Sequence, residues 1–434
     1  MDVMANVKSL LAASGTTFSN SFAVYSWCCP SRATFLTGQY AHNHGVMSNS
    51  APEGGYSKLD HGNTLAVWLQ QAGYHTVHVG KYLNGYGSDV PRTTIPPGWT
   101  EWYTSPHPDP LYYYNYEINE NGTLVFYAEG EENYQTDVYA RKATEFIQRM
   151  ASSSTPFFLY VDFAAPHDDL NPDSRGPEPA PRHKGAFSGR ALPTPPSFNE
   201  LDVADKPAFI QQLPRPDQRQ IDRWTLNYQG RLESLLAVDE AVASVVDALR
   251  SANKLKNTVI IYTSDNGFLM GQHRVFGQKI LPYEESIRVP LIIRYPGYPR
   301  QERTELVGNI DVAPTIVELA GASAGRVMDG RSLLPLVTGA APLWRNALLI
   351  EAAAEMMSLN AFISFGALRT RQYLYVEHDN GERELYNFVA DSCHAADPYQ
   401  LESQHSNSCY SRVIDRLSEQ LGAMRACAGA GCGR

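Results

Sequence analysis

The 434 residues contain no apolar run near the roughly 18 needed to cross a bilayer as a helix, no internal repeat and no long low-complexity tract. Those absences leave a soluble globular chain as the expectation, and the length predicts two or three domains. Positive charge is also short. With 36 Lys and Arg against 46 Asp and Glu the formal charge is −10, which argues against a nucleic-acid partner. It does not exclude a small anionic substrate, since a site needs only local cations. The opening Met1-Asp2-Val3-Met4-Ala5-Asn6-Val7-Lys8 lacks the basic start and apolar core of a secretory signal. On this reading the protein stays in the cell, or its beginning is missing from the sequence. Cysteine is scarce, with six in all. Cys393, Cys409, Cys427 and Cys432 are even in number and sit among polar, loop-like residues, which favours disulfides 393–409 and 427–432 over four free thiols, and with them an exported protein.

The other two cysteines open the most constrained stretch of the chain, Cys28-Cys29-Pro30-Ser31-Arg32-Ala33-Thr34-Phe35-Leu36-Thr37-Gly38. Pro30 suits the first turn of a helix, where no backbone donor is needed. A helix beginning here presents free N–H groups and the positive end of its dipole to an anion. A lone buried cysteine packs as a small hydrophobe, but that explains none of the other defined positions. The stretch resembles the signature of the sulfatase family, C-x-P-S-R followed by L-T-G. The resemblance singles out Cys28 as the residue oxidised after translation to formylglycine, with Arg32 stabilising the hydrated aldehyde. That hydrate has one hydroxyl to attack sulfur and a second to expel sulfate afterwards, which a serine lacks.

Further stretches fit the same resemblance. His75 to Val79 reads as a short strand running into Gly80-Lys81-Tyr82-Leu83-Asn84-Gly85, so Lys81 is the family's sulfate-contacting lysine and Asn84 a candidate substrate contact. Many relatives carry a histidine where Leu83 stands. Pro156 to Phe163 is a near-continuous apolar run, expected as a strand buried on both faces, and it leads to Pro166-His167, which makes His167 a candidate sulfate-ester contact. Asn257 to Thr263 is a β-branched strand ending in Ser264-Asp265-Asn266-Gly267. Oxygen ligands at such a strand end suit Ca²⁺ or Mg²⁺. The resemblance assigns Asp265 and Asn266, with the modified Cys28, to that metal, Lys279 to a second catalytic lysine and His273 to a supporting contact. Family members also place two adjacent aspartates on an apolar strand before the signature, and no Asp-Asp pair stands upstream of Cys28.

Residues 168–217, rich in proline and glycine, read as an exposed wrap from which Arg182 and His183 could reach substrate. Residues 218–252 carry Leu and Val at helical offsets. The expected fold is α/β: an alkaline-phosphatase-like, mostly parallel sheet sandwiched by helices over residues 1–345, with a smaller α+β domain, an antiparallel sheet plus helix, over 346–434. Lys81, His167 and Asp265-Asn266 follow three different strands, whose carboxyl ends share one edge of such a sheet, where ligands bind. The expected reaction is hydrolysis of a sulfate monoester, of an aryl alcohol or a saccharide, after maturation by a formylglycine-generating enzyme. The expected setting is secreted, periplasmic or lysosome-like. A non-catalytic binder of sulfated ligands is the alternative, and a phosphate-ester hydrolase would want Ser or Thr at position 28.

Overall fold

The computed structural model describes residues 2–174, 176–356, 359 and 361–433. Two sheets organise the larger part. The first runs in the order Thr123–Tyr127, Tyr116–Glu120, Glu101–Thr104, His75–Gly80, Phe157–Asp162. Its inner strand His75–Gly80 is parallel to both neighbours, and the outer strands form an antiparallel hairpin. That hairpin turns at Asn121 and Gly122, both at positive φ, as a two-residue turn requires. The second sheet runs Gln301–Arg303, Thr16–Phe18, Leu291–Arg294, Ile260–Thr263, with Leu291–Arg294 antiparallel to both neighbours.

Helices cover both faces. On one side Gln218–Ser251 starts at a capping box, in which Asp217 accepts from the Gln220 amide and the Gln220 side chain accepts from the Asp217 amide. It packs on Gln135–Arg149, which buries Val138, Phe146 and Ile147. On the other side lie Cys28–Thr37, Leu65–Gln71 and Val312–Ala320. No helix among the described residues is long and apolar enough to cross a membrane.

The C-terminal part is an antiparallel meander of Ala347–Met356, Ala361–Thr370, Tyr373–His378 and Arg383–Asn387. The helix Ser411–Arg425 lays Ile414, Leu417, Leu421 and Met424 on it, a spacing of three, four and three that puts all four on one stripe. Its hydrophobic core is continuous with that of the larger part: Phe22, Tyr25, Leu269 and Ile287 cluster with Leu348, Ile350, Val376 and Leu385. Disulfides join Cys393 to Cys409 and Cys427 to Cys432.

Two expectations change. Phe157–Asp162 is half-buried along its whole length, not buried on both faces, because among the described residues it ends its sheet and pairs only with His75–Gly80. The wrap 168–217 is not simply exposed. Ala180, Leu192, Val203 and Ile210 are buried, and so are the charged Glu200 and Lys206.

Candidate active site

The signature helix spans Cys28–Thr37, with Trp27 in extended conformation before it and Gly38 in the left-handed conformation after it. Gly38 at φ 68° closes the helix by donating to the Thr34 carbonyl, the usual reason for glycine at that position. The helix is pinned from outside. Asn309 Nδ2 donates to Ser31 Oγ at 2.8 Å, and Asn49 Oδ1 accepts from the Cys29 amide at 2.8 Å. Nearly every side chain of the helix is buried, so its orientation is set by packing on all sides.

That packing separates the two cysteines. Cys29 sits in an apolar cluster with Ala33, Leu36 and Tyr82, and burial pushes its thiol up to about 12. Cys28 is just as buried but faces cations. Lys279 Nζ donates to Cys28 Sγ at 3.1 Å. Burial raises the Cys28 thiol, yet Lys279 and Lys81 outweigh it and hold it below the ordinary thiol range. Of the pair, Cys28 has the more reactive environment.

Arg32, one turn along the helix and 7% exposed, ties the two sheets together at this point. Its Nε donates to Asp265 Oδ2 at 2.9 Å, and its Nη1 lies 3.1 Å from Asp162 Oδ2 and donates to the Lys81 carbonyl at 2.7 Å. Burial alone would raise the Asp265 carboxyl, but Arg32, Lys279 and Lys81 bring it down to about 2. Burial pulls Lys81 below the ordinary lysine range, against the pull of Cys28 that raises it.

His167 follows a cis Ala165-Pro166 bond. Its Nδ1 lies 2.8 Å from the Asp168 carbonyl, an acceptor only, so Nδ1 carries the proton and Nε2 is left with a lone pair. Burial, then Lys279 and Lys81, hold the ring far below its usual pKa, so it is neutral. Arg231 walls this side. It donates to the Pro166 carbonyl and to Asp168 Oδ1, both at 2.8 Å, and stacks over Phe268 at 3.6 Å. Arg32, Lys81, Asp162, His167, Arg231, Asp265, Asn266 and Lys279 all line one cavity of about 1030 Å³.

The structure therefore brings Cys28, Arg32, Lys81, His167, Asp265, Asn266 and Lys279 together. Asn84 lies beside Cys29, with its Oδ1 buried and unpartnered, and not on the cavity wall. Three candidates go elsewhere. His273 is fully buried, with Nδ1 2.6 Å from Glu200 Oε2 and its ring 4.2 Å from that of Tyr283, so it ties the wrap to the core. Arg182 is held by Asp137 and Glu240, and His183 lies 3.0 Å from Glu240 Oε1, so both fasten the wrap to the outer helices. Asp162 and Arg231 had not been singled out. A carboxylate closing an apolar strand run was the available signal for Asp162, whereas nothing local marks Arg231 within its long helix.

A divalent cation, implied by the resemblance, fits poorly. Calcium takes about six to eight oxygen ligands. Here Asp265 Oδ2 is engaged by Arg32, and Asn266 offers one buried, unpartnered oxygen, Oδ1. Among the described residues no group of three or more His, Cys, Asp or Glu converges to hold a metal.

A family model described as Sulfatase matches residues 2–322, and one described as N-sulphoglucosamine sulphohydrolase, C-terminal, matches residues 271–427. The chain is 33% identical to N-acetylglucosamine-6-sulfatase of Capra hircus, over 100% of this chain and 81% of that protein. It is 36% identical to an arylsulfatase of Volvox carteri over 74% of this chain, and spans only 53% of that longer protein. A protein solved in complex with its substrate D-glucosamine-2-N,6-O-disulfate superposes with a TM-score of 0.79 at 24% identity, covering 97% of this chain and 92% of that one.

Proposed function

The chain belongs to the sulfatase family, and from that premise we propose that it hydrolyses the sulfate monoester of a sulfated amino sugar, with Cys28 as the site of the nucleophile. The observation that carries this is the cation set around one activated cysteine, with Lys279 Nζ 3.1 Å from Cys28 Sγ and Lys81 and Arg32 beside it. Formylglycine, which oxidation of Cys28 by a maturation enzyme would supply, provides in its hydrated form one hydroxyl to attack sulfur and another to release sulfate. Its position at the first turn of a helix suits an anion.

The chain's own residues then divide the work. Lys279, against the Cys28 side chain, holds negative charge on the nucleophile. Arg32 is committed to Asp265 and Asp162, so it sets the positive field and fixes both strand ends without moving. Lys81, pulled below the usual lysine range by burial, is the better proton donor to a departing sugar oxygen. His167 starts neutral with Nε2 free, so it accepts a hydrogen bond or a proton and adds no positive charge. Cations fixed in a water-poor site stabilise developing charge more than they would in bulk water. The amino-sugar class rests on the relatives' names. An aryl sulfate is the other substrate, and both belong in one assay. The two disulfides fit a role in an oxidising compartment.

The test is sulfate release from 6-O-sulfated N-acetylglucosamine and from an aryl sulfate, by enzyme co-expressed with a formylglycine-generating enzyme and by its Cys28→Ala variant. Turnover of the sugar ester that vanishes in the variant is expected. The poor metal fit favours one second reading, a binder of sulfated ligands, which predicts saturable sugar binding with no sulfate release from either protein.

A further inference from the structure

Lys279 reaches Cys28 from a half-buried stretch of chain. Residues 276–279 are all partly exposed, Gly277 stands at φ 77° with open space around it, and a lysine side chain has many rotamers to lose. The chain becomes fixed one residue later. Ile280 is 1% exposed and sits in the hydrophobic cluster shared with the C-terminal sheet, yet it holds φ 73°. In that left-handed conformation a β-branched side chain crowds the backbone, so it persists only where the surroundings impose it.

What imposes it is Ser26, two residues before the position of the nucleophile. The Ile280 amide donates both to the Ser26 carbonyl, at 3.0 Å, and to Ser26 Oγ, at 2.9 Å. Ser26 Oγ in turn shares a 2.8 Å hydrogen bond with Ser286 Oγ, and both serines are buried. Ser286 adds a third piece of the site. Its carbonyl accepts from the Gly267 amide at 2.8 Å, and Gly267 has no room for a Cβ against the Glu285 carbonyl, so the turn Asp265-Asn266-Gly267 closes on the same spot. Two hydroxyls out of water thus join the segments that deliver Cys28, Lys279 and Asp265. We propose that Ser26, backed by Ser286, is a positioning residue for the hydrolysis: it holds Ile280 in its strained conformation and so keeps the Lys279 ammonium on the side chain at position 28. Its effect on turnover rests on the hydrolytic function proposed above, but its effect at Cys28 is measurable without turnover.

Two measurements on the full 434-residue chain keep these apart. In protein made without the maturation enzyme, peptide mass spectrometry reads the rate at which iodoacetamide alkylates Cys28 at fixed pH. Ser26→Ala should slow it at least about 3-fold, toward the rate in Lys279→Ala, because a displaced ammonium no longer stabilises the thiolate. Mere loosening of the fold would speed it instead, by exposing a buried sulfur. The double variant Ser26→Ala/Ser286→Ala should match Ser26→Ala, since the second hydroxyl acts through the first, and it leaves no orphaned hydroxyl to upset folding. In matured protein Ser26→Ala should lower kcat for sulfate release about 10- to 100-fold, with KM changed by less than about 2-fold. An unchanged or faster alkylation rate, a double variant slower than Ser26→Ala by about a further 3-fold, or a rise in KM at constant kcat overturns the proposal. A wild type that releases no sulfate, with the alkylation rates as expected, counts against the hydrolytic function and leaves Ser26 in its positioning role.

Discussion

Replacing Arg32 with methionine tests how the site is built. The guanidinium is 7% exposed and compensates two carboxylates, Asp265 at 2.9 Å and Asp162 at 3.1 Å, while also bonding the Lys81 carbonyl. Removing one partner of such a buried set leaves uncompensated charge, which costs about 3–5 kcal/mol. Arg32→Lys keeps the charge but loses the fork that reaches both strands, so it should cost less, about 1.5–3 kcal/mol. The pH dependence adds a sign. In the wild type Asp265 is held down to about 2, so its stabilising contribution is present above its unfolded value and lost only as pH falls through about 2. Without Arg32 that carboxyl moves up, and protonating it relieves the buried charge. The penalty of Arg32→Met is therefore largest near pH 7 and smaller at about pH 4. Urea unfolding of the three proteins at both pH values measures this. A penalty below about 1 kcal/mol near pH 7, or one that does not shrink on acidification, refutes the reasoning.

Lys279→Ala removes the cation that touches Cys28, so the Cys28 thiol should titrate higher than in the wild type, read as thiolate absorbance in unmatured protein. Cys29 should stay silent in both. His44 accepts the Val46 amide on Nδ1, and burial drives its pKa down to about 3. Its contribution is present above its unfolded value near 6.5 and lost as pH falls toward about 3, a loss on the order of 4 kcal/mol that His44→Gln should flatten in acid unfolding curves. With Asp265 engaged by Arg32, millimolar calcium should stabilise this chain by less than about 0.5 kcal/mol in thermal melts, and a larger shift would mean that more ligands gather than the structure brings together.

Much of the site could be read along the chain because its residues lie in short, local patterns. Cys28 and Arg32 share one helix turn, and Lys81, His167 and Asp265 each follow a strand closely enough for the apolar run to announce them. The C-terminal antiparallel sheet and its helix were legible for the same reason. What failed depended on partners distant in sequence. His273 is claimed by Glu200, 73 residues away, and Arg182 by Glu240, 58 residues away, so a histidine expected to support the site is placed as a structural tie. Asp311, which accepts from the Gly308 amide, also takes both ends of the buried Arg345 guanidinium, a partner 34 residues away. Side-chain identity announced charge in each case. Which opposite charge would meet it was decided by the fold.

The central claim, that position 28 becomes an aldehyde facing fixed cations, is tested most directly by mass spectrometry of the tryptic peptide spanning Cys28, from protein co-expressed with a formylglycine-generating enzyme. The account predicts the mass of the aldehyde at Cys28 and an alkylatable thiol at Cys29. Two alkylatable thiols in that peptide would contradict it.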